Sequence, residues 1–371
     1  MAEKISDVYF TDMRTAHGSS LLDKLGVLID RAGFGLLDLE GKFSAIKIHF
    51  GEPGNLSYLR PNYVSVVSDI IRRKKGIPFL SDANTLYVGE RANAVEHLSA
   101  AEKNGFVPAV TGCPVIIADG LRGTDYREVE ISLTHCETAK IGTVIADADV
   151  IISMNHVKGH EMTGFGGAIK NIGMGSGSRG GKLEMHSSSK PFIKQKKCVS
   201  CGQCINYCSR DAISFNVQKK ASIDYELCIG CGQCVAVCRY RAASLKWNEA
   251  AETATEKISE YAYAVLKGKD HFHINFIIDV SPNCDCVSHN DMPVVPNIGI
   301  LASFDPVAAD QASMDLVNNA PALKGSVLDN PDFSRDSDKF TSIYPYTNWK
   351  SGISHAVRIG LGSDKYNLVK I

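Results

Sequence analysis

The chain has 371 residues, of which 44% are hydrophobic, and its formal net charge at pH 7 is −1. This near-neutral charge, without a basic stripe, argues against nucleic acid as a partner, because phosphate binding relies on clustered Lys and Arg. The apolar stretches are far shorter than the ~20 residues that a membrane-spanning helix needs, and the N-terminus lacks a hydrophobic secretory core. We therefore expect a cytoplasmic protein without a membrane span.

Helix and strand patterns alternate in the first half of the chain. Apolar residues recur at helical spacing over 21–29 and 63–71, and candidate strands cover 45–50, 78–81, 114–118 and 150–154. After residue 248, a helix over 249–266 is followed by strands over 274–280 and 298–302 and by a helix that begins at Pro306. The pattern predicts an α/β fold, with a mainly parallel sheet and flanking helices.

Polar side chains follow several of these strands. Lys47 and His49 alternate with apolar neighbours and so share one strand face, and His156 follows the strand over 150–154. Ligands of open parallel sheets bind beyond the carboxyl ends of the strands, so we predict catalytic roles for these three residues in one crevice. Each polar strand end could also be a cap or a solvated turn. His156 and His160 have the spacing of a helical metal site, although Gly159 favours a loop.

The stretch 155–182 is rich in glycine. Gly164, Gly166 and Gly167 would permit a close approach of the backbone to a ligand. A helix over 166–171 could present its N–H groups to an anion, with Lys170 as a point charge. We predict that these glycines and Lys170 bind a cofactor and that Lys170 has a catalytic role.

Two cysteine runs with the spacing C-x-x-C-x-x-C-x-x-x-C lie near the middle of the chain, and this spacing is typical of two-cluster ferredoxins. Disulfides would need an oxidising compartment, and zinc sites usually lack a third cysteine at this spacing. The fourth cysteine of each run is expected to reach the other cluster. We predict two [4Fe-4S] clusters, one bound by Cys198, Cys201, Cys204 and Cys238, and the other by Cys228, Cys231, Cys234 and Cys208.

The cysteine runs suggest three sequence segments. A bacterial-ferredoxin-like α+β module over 191–247 would interrupt an α/β domain whose parts are 1–190 and 248–371, or would form a hinge between two domains. Cluster ligation would supply much of the folding free energy of such a small module.

Two further cysteines, Cys284 and Cys286, lie in a loop after the strand over 274–280. Long loops without secondary structure are commonly functional. We predict catalytic roles for the pair, as redox thiols or as ligands of a further metal or cofactor. Inert structural thiols are the alternative.

Several motifs together resemble one family. They are AIKIHFGEPGN at 45–55, NHVKGHEMTGFGGAIKNIGMG at 155–175, the two cysteine runs, and DVSPNCDCVSHNDMPVVPNIGILASFDPVAADQAS at 279–313. They resemble the family catalogued as domain of unknown function 362, the iron-sulfur-centre proteins of mostly anaerobic bacteria and archaea. The resemblance implies a ferredoxin-type 4Fe-4S domain and leaves the activity unassigned.

A shorter similarity concerns His156 and the segment 164–170. It looks like the segment of nickel-pincer lactate racemases in which a histidine precedes a glycine-rich turn and a lysine carries the covalent cofactor. The similarity implies that Lys170 would anchor a cofactor or substrate covalently, with His49 or His156 as base or ligand.

Three functions fit these features. The leading hypothesis is an oxidoreductase that passes electrons between the clusters and a small-molecule substrate or cofactor in the α/β crevice. The second is a ferredoxin-like electron-transfer subunit that docks a larger oxidoreductase, its redox partner. The third is a non-redox ligand-binding protein with structural clusters. The sequence leaves the oligomeric state open.

Overall fold

The computed structural model describes residues 5–87, 89–186, 190–208, 210–228, 230, 232–244, 251–329 and 338–371. The strands are β1 (Ser6–Asp12), β2 (Phe43–Lys47), β3 (Ile77–Asp82), β4 (Val115–Ile117), β5 (Tyr126–Glu130), β6 (Thr138–Gly142), β7 (Val150–His156), β8 (Lys158–His160), β9 (Gly164–Gly166), β10 (Phe192–Ile193), β11 (Ile213–Phe215), β12 (Ala221–Ile223), β13 (Ala243–Ser244), β14 (Asp270–Ile277), β15 (Gly299–Ser303) and β16 (Tyr366–Lys370).

The α-helices are α1 (Leu21–Arg31), α2 (Asn62–Arg73), α3 (Ala94–Lys103), α4 (Pro108–Thr111), α5 (Thr143–Asp147), α6 (Ala168–Ser176), α7 (Arg179–His186), α8 (Gln203–Asn206), α9 (Gln233–Ala236), α10 (Ala251–Leu266), α11 (Pro306–Asn319), α12 (Lys339–Ile343) and α13 (Trp349–Arg358). None of the helices in the described ranges combines the length and apolar character needed to cross a membrane.

An eight-stranded sheet organises the chain, in the order β16-β1-β15-β14-β7-β2-β3-β4. Its pairings are parallel except for the two that β15 makes with β14 and β1. Strands β14 and β15 follow the cysteine runs in sequence, yet β14 lies directly beside β7. Elements from both sides of the cysteine runs therefore build one sheet.

Helices cover both faces of this sheet, because its central strands are apolar on both sides. All seven residues of β7 are buried, and its Ile151 and Ile152 belong to two different core clusters. Residues of α1 and α2 pack in one cluster, and residues of α6, α10, α11 and α13 in the other. The predicted α/β fold with a mainly parallel sheet and flanking helices is confirmed.

The cysteine runs lie in a small separate arrangement of elements. Strand β10 pairs antiparallel with β13, and β11 pairs antiparallel with β12. The four-residue helices α8 and α9 each follow a left-handed glycine, Gly202 at φ +74° and Gly232 at φ +70°. Cys231 and the predicted module end at 247 lie outside the described residues.

Some sequence-based expectations differ from the structure. Strand β2 ends at Lys47 instead of residue 50, because its pairings with β3 and β7 both stop at Lys47. The helix expected over 166–171 is α6, which begins at Ala168 and continues to Ser176. His156 and His160 lie on strands β7 and β8, so the helical version of a two-histidine metal site is wrong.

Candidate functional site

A cavity of about 80 Å³ lies beyond the carboxyl ends of β2, β3 and β7. Its wall includes the predicted residues His49, Lys170 and Cys286. Four cationic side chains and one carboxylate contribute to the wall, namely Arg91, Lys158, Lys170, Lys182 and Asp82. We call this cavity the crevice. Its location agrees with the rule for ligand sites in open α/β sheets.

Lys47 is fully buried at the floor of this region. Its Nζ lies 2.9 Å from Asp82 Oδ1 and donates to Asn171 Oδ1 at 2.7 Å. Burial alone would raise the pKa of Asp82, but the neighbouring cations, with Lys47 first, hold it well below its usual range. The same burial lowers the pKa of Lys47. The Lys47 ammonium thus forms an internal ion pair with the Asp82 carboxylate.

His49 lies at the crevice wall with a neighbouring polar group at each ring nitrogen. The Gly51 N–H donates to its Nδ1 at 3.0 Å, and Arg91 Nη1 lies 3.0 Å from its Nε2. Burial, and then the charge of Arg91, lower the pKa of His49 well below its usual range. His49 is therefore neutral at pH 7.

Arg91 connects several groups at this wall. It donates to Glu52 Oε2 (2.8 Å) and to Tyr87 Oη (2.7 Å), and it lies 3.6 Å from Asp82. Only 1% of Arg91 is exposed. A buried guanidinium that bridges two carboxylates holds the loop after β3 in place.

His156 is buried with both ring nitrogens engaged. Its Nδ1 lies 2.9 Å from Asp285, and its Nε2 lies 2.9 Å from Ile278 O. Lys158 Nζ is 3.3 Å from the same carboxylate. The structure therefore places His156 behind the crevice, where it ties β7 to the loop that follows β14.

The predicted pair Cys284 and Cys286 meets Lys170 and His160. Lys170 Nζ donates to Cys284 Sγ at 3.6 Å, and the Cys286 N–H donates to the same sulfur at 3.4 Å. His160 and the two cysteines present three ligand atoms within 4.8 Å of one another. A hydrogen bond from the Cys286 side chain, together with Lys170 and His160, lowers the pKa of Cys284 well below its usual range.

The predicted cofactor-binding glycines contact the chain itself. A Cβ at Gly164 would lie 2.6 Å from Thr347 Oγ1, one at Gly166 3.2 Å from Lys170 Cδ, and one at Gly167 2.3 Å from Asp310 Oδ1. The anion at the N-terminus of α6 is the Asp310 carboxylate, which accepts from the N–H groups of Ala168 (2.6 Å) and Ile169 (2.9 Å). The expectation that these N–H groups bind an external anion is therefore wrong.

Helix α7 contributes two residues to the crevice wall that the sequence did not single out, Lys182 and His186. Burial lowers the pKa of Lys182 to about 8 and that of His186 to about 3. Arg91 was missed as well. Its only sequence signal is a cation in the loop after a strand, which is too common to be informative.

The described cysteines of the two runs line two separate cavities. The first is lined by Cys198, Cys201, Cys204 and Cys238. The second is lined by Cys208, Cys228 and Cys234. In each cavity, cysteines of one run face the fourth cysteine of the other run.

Polar hydrogens point at sulfur around these cavities. Backbone N–H groups donate to Cys198 Sγ (3.4 Å), Cys208 Sγ (3.3 Å) and Cys238 Sγ (3.2 Å). Gln233 lines the second cavity and is 1% exposed, yet neither of its amide atoms has a hydrogen-bond partner in the described structure. This donor set suits an anionic group that contains sulfide.

One wall separates the second cavity from the crevice. Leu86 lines the crevice, and a Cβ at Gly232 would lie 2.2 Å from Leu86 Cδ1. Leu86 and Leu183 form a small apolar cluster against which Val235 packs. The second cysteine run thus contacts the crevice wall directly.

Comparison with known proteins gives a family match and distant structural similarity. A family model described as "Domain of unknown function (DUF362)" matches residues 45–315. No curated protein sequence matches.

Two solved structures share limited similarity with the chain. The lactate racemase apoprotein from Thermoanaerobacterium thermosaccharolyticum is 13% identical, with 74% of this chain and 51% of that chain covered and a TM-score of 0.37. A protein from Thermotoga maritima is 13% identical, with 81% of this chain and 58% of that chain covered and a TM-score of 0.38. This chain spans little more than half of the length of each.

Proposed function

The chain belongs to the DUF362 family, and from its site we propose that it is an iron-sulfur oxidoreductase. In this proposal a ferredoxin-type module over 191–247 binds two [4Fe-4S] clusters, which supply one-electron transfer when bound. The α/β body binds a small-molecule substrate in the crevice. The carrying observation is the contact between the second cysteine cavity and the crevice wall.

The shapes of the two cavities support the cluster assignment. Each is lined by cysteines of both runs, as the crossed ligand sets require. Within the described ranges, ligand atoms converge within 4.8 Å at two places, and the cysteines of the runs belong to neither. The sulfurs are therefore too widely spaced for one ion, whereas a multi-iron cluster separates its ligands.

The positions of the cavities support a path for electron transfer. Cys201 in the first cavity is exposed, so this cavity is accessible to a redox partner. The second cavity adjoins Leu86 and the crevice. Electrons would pass from the surface through the two cavities to the crevice, or in the reverse order.

The charge of the crevice supports an anionic substrate. Arg91, Lys158 and Lys170 lie beside Glu52, Asp285 and Cys284, whereas the Lys182 ammonium in the same wall donates to the Gly177 carbonyl and would be the cation that a bound anion meets. Burial strengthens the attraction between such a cation and an anion. The proposed substrate is therefore a small carboxylate that undergoes reduction or oxidation.

A second function, electron transfer to a larger oxidoreductase, is favoured by a different feature. An open groove of about 660 Å³ includes Cys201, Arg239 and Tyr240 of the cysteine segment and Glu52 and Glu96 of the α/β body. A partner protein in this groove would approach the first cavity. A third reading keeps the clusters as structural elements of a ligand-binding protein.

Paired cysteine substitutions test the crossed clusters. Anaerobically reconstituted protein should contain about eight irons and show EPR signals on reduction. Cys201→Ser/Cys238→Ser should keep about four irons, because both serines fall in one ligand set, whereas Cys201→Ser/Cys208→Ser should lose both clusters. Cys113→Ser, outside the runs, is the matched control.

The outcomes separate the three functions. Fewer than about two irons per chain after reconstitution would refute the cluster assignment. Clusters that cannot be reduced would favour the structural reading. Reducible clusters in a protein whose crevice binds no carboxylate from a panel, measured by calorimetry, would favour the electron-transfer subunit.

A further inference from the structure

Cys284 and Cys286 form a pair of sulfurs at the edge of the crevice that the cluster assignment does not use. Cys284 is 1% exposed, and Cys286 is partly exposed and lines the crevice. The two residues flank Asp285, whose carboxylate is fixed by His156 and Lys158. The Asp285 carbonyl also accepts from the Glu52 N–H at 2.8 Å. Both sulfurs therefore project from a backbone that is anchored on two sides.

The surroundings of Cys284 favour a thiolate. The Lys170 ammonium lies 3.6 Å from its Sγ, and the Cys286 N–H lies 3.4 Å from the same atom. Both contacts are within the range of hydrogen bonds to sulfur, and the ammonium adds charge attraction in a buried place. The ammonium and the thiolate form a neutral pair, so the site is balanced in charge without a further ion.

His160 is oriented to donate to sulfur. Its Nδ1 accepts from the N–H groups of Met162 (3.2 Å) and Thr163 (3.1 Å). In a neutral ring with an accepting Nδ1, the proton resides on Nε2. A metal ligand needs the opposite tautomer, in which Nδ1 donates to an acceptor. Although three ligand atoms lie within 4.8 Å here, the tautomer favours a thiolate over an ion.

We propose that Cys284 and Cys286 form a reversible dithiol–disulfide couple that exchanges two electrons at the crevice. On oxidation, the S–H bond of Cys286 breaks and one S–S bond forms. The Cys284 thiolate and the Cys286 thiol together release one proton to crevice water and two electrons. The electrons go one at a time to the two clusters, or as a pair to a disulfide-class oxidant.

The very short loop that a Cys284–Cys286 disulfide would close argues against a structural role for the bond. A disulfide between residues two positions apart constrains little of the unfolded chain, so it contributes little to the free energy of unfolding. The role of the disulfide would be chemical, because a dithiol–disulfide couple combines two one-electron transfers into one two-electron step. The transfer to the clusters rests on the proposed function, whereas the couple itself does not.

The couple is measured in full-length, cluster-loaded protein that is equilibrated anaerobically with oxidised and reduced dithiothreitol. Samples are quenched in acid, alkylated and digested with trypsin. The tryptic peptide 270–324 contains Cys284 and Cys286 as its only cysteines, and the peptide 104–122 contains only Cys113. Burial raises the pKa of Cys113 to about 11, and it serves as the unreactive internal reference.

The expected result is a reversible change of peptide 270–324 from two alkyl groups to none. Lys170→Met removes the ammonium that stabilises the reduced pair, so half-oxidation should need about tenfold less oxidised dithiothreitol, which corresponds to one pKa unit of lost stabilisation. Lys350→Met, a change of an exposed lysine, should leave the ratio unchanged.

Three results would overturn the couple. The first is a peptide 270–324 that carries two alkyl groups at every dithiothreitol ratio. The second is half-oxidation of Lys170→Met at the same dithiothreitol ratio as the unaltered protein. The third is an ion that native mass spectrometry detects in this protein but not in Cys286→Ser.

A separate step tests the link to the clusters. Photoreduced deazaflavin should open the disulfide in the intact protein but not in Cys228→Ser/Cys201→Ser, which lacks both clusters. If dithiothreitol closes the bond but cluster reduction does not open it, the couple stands and the proposed electron path fails.

Discussion

At the scale of single residues, Asp82 holds the crevice floor together. It lies 2.9 Å from Lys47 and 3.6 Å from Arg91, and both cations are almost fully buried. Asp82→Asn leaves two buried cations with less compensation, so we expect the free energy of unfolding to fall by about 3–5 kcal/mol in urea denaturation. Glu40→Gln removes an exposed partner of Lys75 and should have no measurable effect. Equal urea midpoints for Asp82→Asn and Glu40→Gln would show that the internal ion pair contributes nothing to the free energy of unfolding.

A second residue-scale prediction concerns pH and His97. Burial lowers the pKa of His97 to about 3, whereas an unfolded histidine titrates near ~6.5. Between these two pH values the unfolded chain therefore binds more protons at His97 than the folded chain does. The contribution of neutral His97 to the free energy of unfolding is thus complete above pH ~6.5 and is lost as the pH falls toward about 3. Unfolding free energies of the unaltered protein and His97→Gln, measured from neutral to acidic pH, should converge as the pH falls. Asp119 and Asp310, whose pKa values burial raises to about 6, titrate oppositely, but they are present in both proteins and cancel in the difference. A constant difference would contradict the assignment.

At the scale of elements, the N-terminus of α6 depends on a glycine that touches another helix. A Cβ at Gly167 would lie 2.3 Å from Asp310 Oδ1, and this carboxylate caps α6 from α11. Gly167→Ala should lower the thermal midpoint, with a cost of about 1–3 kcal/mol from overpacking. Gly35→Ala meets nothing within 4 Å and is the matched control. If Gly167→Ala and Gly35→Ala have the same thermal midpoint, α6 must be able to move away from Asp310.

The same helix shows what the sequence could and could not predict. The glycine-rich stretch indicated close backbone contact, which is correct, but the contacting group is Asp310, 142 residues away from Ala168. Likewise β15 was predicted as a strand, although its antiparallel direction depends on neighbours that local pattern does not reveal. The cysteine spacing was informative because all eight predicted ligands lie within two short runs. Arg91 and Lys182 were missed because only the fold brings them to the crevice.

At the scale of the whole molecule, strands from before and after the cysteine segment build the eight-stranded sheet, and the described strands of the segment are not part of it. Strand β14 lies between β7 and β15, and it carries parallel pairs from Asp270 to Phe276. By contrast, the buried apolar core of the segment is small, with Ile213, Ala221, Ala242 and Ala243 beside the cysteines. The body and the segment should therefore differ in their dependence on iron.

Under the proposed cluster assignment, iron removal should unfold the segment and leave the body intact. Without cluster ligation, the small core of the segment cannot offset its conformational entropy, so chelation under reducing conditions should make 190–244 much more sensitive to protease than in the loaded protein. The two flanking fragments should then elute together in size-exclusion chromatography, because β14 remains inserted between β7 and β15. The loaded protein, digested in parallel, is the control. Separation of the fragments would mean that the segment holds the sheet together, and an unchanged cleavage rate would mean that the segment folds without iron.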